Sequence, residues 1–152
     1  MPTITVETYI IAHVDLCFDL ARDIGVHCRT AEFTQERAIA GVTTGMIGLG
    51  QEVTFEAVHF GIRQQLTARV TEFKRPYRFV DEMLRGSFKS MRHVHEFTAD
   101  GPGTLMKDEL TWISPFGPIG SAADKLFLEA HMRRFLMRRN SNLKRIAEEL
   151  AE

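Results

Sequence analysis

A chain of 152 residues, 44% hydrophobic and 26% charged, has the length and composition of one soluble globular domain spanning residues 1–152. Its formal net charge of −1 and pI of about 6.6 provide no strong field toward nucleic acid or an anionic membrane. No apolar stretch approaches transmembrane length and no charged-then-apolar leader opens the chain, so no membrane span and a cytoplasmic location with reduced thiols are expected.

The elements follow in order. Ile4 to Ile11 is rich in β-branched residues and reads as a strand. Asp15 then caps a short helix over Leu16–Arg22, and a second short helix or turn falls between Gly25 and Ala31. Six strand-like segments come next: Glu36–Ala40, Glu52–Phe60, Ile62–Phe73, Arg78–Leu84, Met91–Thr98 and Thr104–Ile113. Glycine, proline and aspartate punctuate them at Gly41, Gly61, Arg75-Pro76, Gly86-Ser87 and Asp100-Gly101-Pro102-Gly103, as the turns of an antiparallel meander require. The Gly45–Gly50 loop lacks the Lys-Ser/Thr ending of a phosphate cradle, and a strand follows it. It reads as an apolar rim at a cavity mouth or a hairpin tucked on the core.

After the stiff loop Pro115-Phe116-Gly117-Pro118-Ile119-Gly120, Ser121 opens a helical pattern running to about Leu150. Leu128, Met132, Phe135, Leu143, Ile146 and Leu150 fall near one stripe. The basic pairs Arg133-Arg134 and Arg138-Arg139 read as a solvated face rather than a nucleic-acid surface. Strand, two short helices, six strands and a long helix give an α+β architecture, a curved antiparallel sheet of about seven strands wrapped around the C-terminal helix. A bent sheet and a straight helix cannot touch everywhere, which leaves a cavity between them. Eleven Phe against two Tyr and one Trp fit a large apolar interior.

At this point the chain resembles the helix-grip, START-like superfamily (SRPBCC; birch-pollen-allergen-like proteins and polyketide cyclases). The residues that carry the likeness are Phe18-Asp19-Leu20-Ala21-Arg22, Gly50 before the Glu52–Phe60 strand, His59-Phe60-Gly61, Phe79-Val80-Asp81, Gly86-Ser87-Phe88, His93-Val94-His95-Glu96-Phe97, Asp108 and Ser114-Pro115-Phe116-Gly117. The resemblance implies a cavity for an apolar small molecule. It implies no one reaction, since the superfamily holds carriers, receptors, cyclases, dehydratases and chaperone activators, and no catalytic motif carries over residue by residue.

The most telling feature is His93-Val94-His95. Alternation along a strand puts both imidazoles on one face with Met91 and Phe97, and turns Arg92, Val94 and Glu96 the other way. Asp81 and Asp108 lie on flanking strands within reach of these rings, and Asp108 shares its face with Met106, Leu110 and Trp112. A carboxylate in an apolar wall needs a partner, and an imidazole is the natural one. The set forms a polar network that fixes register, a hydrogen-bonding patch for a ligand, or a His–Asp pair that moves protons. Candidate ligand contacts are Phe55, His59, Phe79, Asp81, Met91, His93, His95, Phe97, Asp108, Leu110, Trp112, Phe116 and Phe127, with Phe88 and Ile119 as further gates. Candidate catalytic groups, should there be a reaction, are His93, His95, Asp81 and Asp108.

His59, His93 and His95 with Asp108 or Asp81 would also make a His/carboxylate metal set. Glu96 directly follows His95 and lands on the opposite face, unlike the cupin metal motif it faintly resembles, so no metal and no cofactor are expected. Cys17 and Cys28 lack paired Cys/His spacing, which argues against structural zinc. Whether they form a disulfide stays open. Three functions fit: a binder of an apolar or amphipathic small molecule (lipid-like, aromatic or polyketide-like), a cyclase or dehydratase, and a stress or assembly module. Homodimerisation through a sheet edge or the long helix is compatible with each.

Overall fold

Seven strands form one antiparallel sheet in the computed structural model, which describes residues 1–152. They are β1 (Thr3–Ile10), β2 (Arg37–Gly41), β3 (Glu52–His59), β4 (Ile62–Lys74), β5 (Arg78–Arg85), β6 (Ser90–Asp100) and β7 (Gly103–Ile113), in the order β1-β7-β6-β5-β4-β3-β2. β2 through β7 is an uninterrupted meander, and β1 closes on β7 at the far edge. Register shifts between β4 and β5 at Thr67/Ala68 and Val70/Glu72 are bulges that bend the sheet. Phe60 and Gly61 form the two-residue turn between β3 and β4, with φ of 53° and 72°.

Two short helices, α1 (Val14–Ala21) and α2 (Ile24–Thr30), follow β1. The first is capped by His13, whose Nδ1 accepts from the Asp15 amide at 3.2 Å, and not by Asp15. Imidazole can accept at this position as a carboxylate would, and starting one residue earlier lets Val14 bury. Asp23 caps α2 through the Val26 amide. Phe18 of α1 meets Phe73, Phe79 and Phe97 edge-on at 5.3–5.4 Å, closing one end of the core.

The C-terminal rod begins at Gly117, four residues before the expected start at Ser121. It runs through α3 (Gly117–Ala123), a π-helical turn (Asp124–Leu128) and α4 (Glu129–Ala151). Pro118 explains the early start, since its missing N–H costs nothing in the first turn of a helix. The rod buries Leu136, Leu143 and Ala147, but also Arg139 and Asn140. Arg139 is therefore no part of a solvated basic face, whereas Arg133, Arg134 and Arg138 are exposed. Ile47 of the Gly45–Gly50 loop docks on the core, its amide donating to the Arg22 carbonyl and its carbonyl accepting from the Arg22 guanidinium, while Met46 and Leu49 stay exposed. Cys17 and Cys28 are free thiols. No helix is long and apolar enough to cross a membrane.

Candidate functional site

Between the concave sheet and the rod lies a cavity of about 200 Å³, with mainly hydrophobic walls. Space of that size exceeds the ~10–15 Å³ that one water takes on the same measure by an order of magnitude. Phe55, His59, Phe79, Asp81, Met91, His93, His95 and Leu110 border it. Phe97, Asp108 and Trp112 do not: all three are buried behind the lining. Phe97 packs under Phe18, and the Trp112 indole donates to Asp124 at 2.9 Å. Phe116 and Phe127 point to solvent on the rod, away from the interior that sequence alone assigned them. Phe88 is half-buried on the cavity border.

One wall is polar, and the sheet register builds it. Asp81 on β5 lies opposite His93 on β6, and Asp108 on β7 lies opposite His95. The side chains pair on the diagonals. His93 Nε2 donates to Asp108 Oδ1 at 2.7 Å, and His95 Nε2 donates to Asp81 Oδ2 at 2.8 Å. The imidazoles stack at 3.7 Å between centroids, and Phe79 stacks on the far face of His95 at 4.1 Å.

Asp108 is the hub. Fully buried, it accepts from Arg139 Nη2 at 3.0 Å and Asn140 Nδ2 at 2.6 Å, and His95 Nδ1 faces it at 3.4 Å. Sequence reasoning missed Arg139 and Asn140. The available signal was their place between Leu136 and Leu143, at the three- and four-residue steps of the buried stripe.

The charges follow from this geometry. Burial opposes the Asp108 carboxylate, but the Arg139 charge and the His93 and His95 hydrogen bonds outweigh it and hold its pKa well below the carboxylate range. Asp81 is likewise lowered, since the His95 hydrogen bond and charge outweigh burial. Burial also opposes protonation of His95, yet its two carboxylate partners raise its pKa. For His93, burial and then the His95 charge push the pKa down to about 4. Carboxylates facing both His95 nitrogens favour its protonated form; in that form Asp81 and Asp108 are anionic, Arg139 and His95 cationic and His93 neutral, so the four charges cancel.

That state fixes the His93 tautomer. Its Nε2 carries the proton given to Asp108, so Nδ1 is a bare acceptor. No buried side-chain nitrogen or oxygen lacks a partner, and His93 Nδ1 has none within the chain, so this atom opens onto the cavity. A second polar group lies elsewhere on the border, where His59 Nδ1 and His131 Nε2 share one hydrogen bond at 2.9 Å and His27 meets Glu36 at 2.9 Å.

Asp81, His93 and His95 bring one ligand atom each within 4.8 Å of one another, the residue types of a two-histidine, one-carboxylate metal site. In the structure both His95 nitrogens face carboxylates and the cluster balances its own charge. A cation would first have to displace the His95 proton and open the Asp81–His95 bond, so the donor set fits a self-contained network better than a metal centre.

No protein-family model and no curated protein matches the chain. Solved structures do. TTHA0849 from Thermus thermophilus superposes with a TM-score of 0.82 at 18% identity, covering 99% of this chain and 100% of that one. The Zhui aromatase/cyclase from a Streptomyces species, R1128, gives 0.79 at 15% identity over 99% and 96%. A START superfamily protein from Mycobacterium smegmatis gives 0.73 at 14% identity over 97% and 98%. With its seven-stranded antiparallel sheet, short helices after β1 and 35-residue C-terminal rod, the chain has the START-like helix-grip fold.

Proposed function

We propose that this protein binds an amphipathic small molecule whose apolar body fills the cavity and whose O–H or N–H group donates to His93 Nδ1. The observation that carries this reading is the bare imidazole nitrogen on the polar wall of a mainly hydrophobic cavity, locked in one tautomer by Asp108. Burial of the body contributes roughly 25 cal/mol per Å² of apolar ligand surface, and the hydrogen bond adds only about 1 kcal/mol net, so the imidazole selects orientation more than it supplies affinity. A cyclase or dehydratase reading draws on the same His93–Asp108 pair. Two features rank it second. A histidine with pKa of about 4 is a weak base at neutral pH, and neither nitrogen of His95 is free to give a proton to a ligand.

Calorimetric titration with 2-naphthol and with 2-methylnaphthalene, near-isosteres that differ in the hydroxyl, tests the binding reading. The naphthol is expected to bind about five- to tenfold tighter, and His93→Phe is expected to erase the difference while leaving the hydrocarbon's affinity in place. Equal affinities in the native protein, or no uptake of either ring, would overturn it.

A further inference from the structure

The rod's outer face is unlike the rest of the surface. Phe116, Ile119, Leu126 and Phe127 are 81%, 76%, 70% and 62% exposed, four large apolar side chains within twelve residues. Ile119, Ala123, Leu126 and Ala130 continue at three- and four-residue steps, with Phe127 on the neighbouring row; Arg133 takes the next step before Met137, so the apolar stripe covers the N-terminal half of the rod and ends at a cation. The charge along this stretch is one-sided. Lys125, Arg133, Arg134, Arg138 and Arg145 are exposed between residues 116 and 145, where the two acids are Asp124, buried on Trp112, and Glu129, half-buried. In a chain of net charge −1 this is a local excess of positive charge, centred for the apolar stretch on Lys125, Arg133 and Arg134, since Arg138 stacks on Phe33 at 4.4 Å and Arg145 lies beside Glu32 and Glu149. A second element joins it. Phe60 at the β3–β4 turn is exposed, lies 4.3 Å from the His131 ring on α4, and borders the cavity, so the cavity reaches the surface beside the stripe. Both Phe60 and Phe116 hold left-handed backbone, φ 53° and 69°, a conformation that non-glycine residues adopt at a cost.

We infer that this face docks on an anionic lipid bilayer, with the apolar stripe and the Phe60 turn entering the headgroup boundary while the flanking arginines and Lys125 meet the lipid phosphates. An apolar stripe edged by cations is the composition of an interfacial helix, and neither a nucleic acid nor an acidic protein groove calls for four exposed large apolar side chains along it. Docking here sets the cavity mouth against the phase in which an apolar ligand dissolves. That last step rests on the ligand-binding reading, whereas the exposure and the charge asymmetry do not.

The test is co-sedimentation of the full chain with ligand-free vesicles of phosphatidylcholine, with and without about 30% phosphatidylglycerol. Binding to the anionic vesicles is expected, weakening about fivefold for each charge removed in Arg133→Gln and Arg134→Gln. Phe116→Ser and Phe127→Ser, both at exposed positions, are each expected to weaken it about tenfold, with circular dichroism confirming that the variants are folded. Failure to bind anionic vesicles, equal binding by the Phe→Ser variants, or a concentration-dependent dimer in light scattering that Phe127→Ser dissociates without any vesicle binding would overturn the inference. The naphthol titration above needs no vesicle, so failure of one proposal is separable from failure of the other.

Discussion

The charge balance around Asp108 can be broken one charge at a time. Asp108→Asn leaves Arg139 and His95 cationic against Asp81 alone, a net of +1. It also places an amide where Asn140 Nδ2 now donates at 2.6 Å. Arg139→Met leaves two carboxylates against His95, a net of −1. The double variant retains Asp81 and His95 as one neutral pair. Removing one partner of a buried ion pair costs about 3–5 kcal/mol, which is the expectation for Asp108→Asn. Arg139→Met removes the other partner of the same pair together with its bonds to Asn140, so about 3–5 kcal/mol is expected there too. Because the double variant restores neutrality, its loss should fall short of the sum by about 2–3 kcal/mol. Against a total stability of about 5–15 kcal/mol these are large fractions. Urea denaturation at neutral pH followed by circular dichroism, with the slope checked for constancy, measures all four corners. A cost below about 1 kcal/mol for Asp108→Asn, or strict additivity of the pair, would refute a charge-coupled hub.

Further expectations follow from the same wall. His93 has its folded pKa depressed, from 6.5 to about 4, so its contribution to stability is present above 6.5 and is lost as pH falls toward 4. At about 1.4 kcal/mol per pH unit, the loss approaches ~3 kcal/mol, and thermal melts between those pH values should show a steeper acid decline in the native protein than in His93→Phe. His95 has the opposite sign: its folded pKa is raised, so its contribution is present below 6.5 and disappears as pH rises through the folded value. His95→Gln should therefore flatten the alkaline side of the same profile. Phe79→Ala removes the ring stacked on His95 and should cost about 3–5 kcal/mol in urea, with a larger cavity detectable as added capacity for 2-methylnaphthalene.

The sheet was largely legible because period-two alternation leaves a strong trace. Met91, His93, His95 and Phe97 share a face, and so do Met106, Asp108, Leu110 and Trp112; the structure turns both sets inward. The two aspartates could be named as imidazole partners because each lies on a strand flanking β6. The diagonal crossing, His93 to Asp108 and His95 to Asp81, was not legible. It depends on register, which loop lengths alone do not set. Arg139 was misread because a lone arginine beside another arginine reads as a solvated face, and only a buried carboxylate opposite offsets the cost of burying its charge. Phe97 and Trp112 show the remaining ambiguity. An inward-facing aromatic can line a void or fill it, and which happens depends on where α1 and the rod press on the sheet.

The polar wall also bears on how the cavity stays open. A helix laid over a curved sheet would gain apolar contact by collapsing onto it, and Leu136 and Leu143 pull that way. Arg139 and Asn140 lie between those two leucines and end on Asp108, fixing the helix at hydrogen-bonding distance from β7. Closer approach would compress these bonds, and a larger separation would strand a buried carboxylate. His93, hung from the same carboxylate, then presents its free nitrogen at a set depth. Ligand recognition and cavity height therefore share one atom group. A ligand donating to His93 Nδ1 strengthens the Nε2–H bond to Asp108 by polarisation and so holds in place the carboxylate on which Arg139 and Asn140 end. Occupancy should accordingly slow amide hydrogen exchange in α4 around Arg139 and Asn140 more than in β3 around Val53, Phe55 and Ala57, which line the cavity with apolar side chains. Uniform slowing across the sheet and rod would show that the ligand acts by filling space alone.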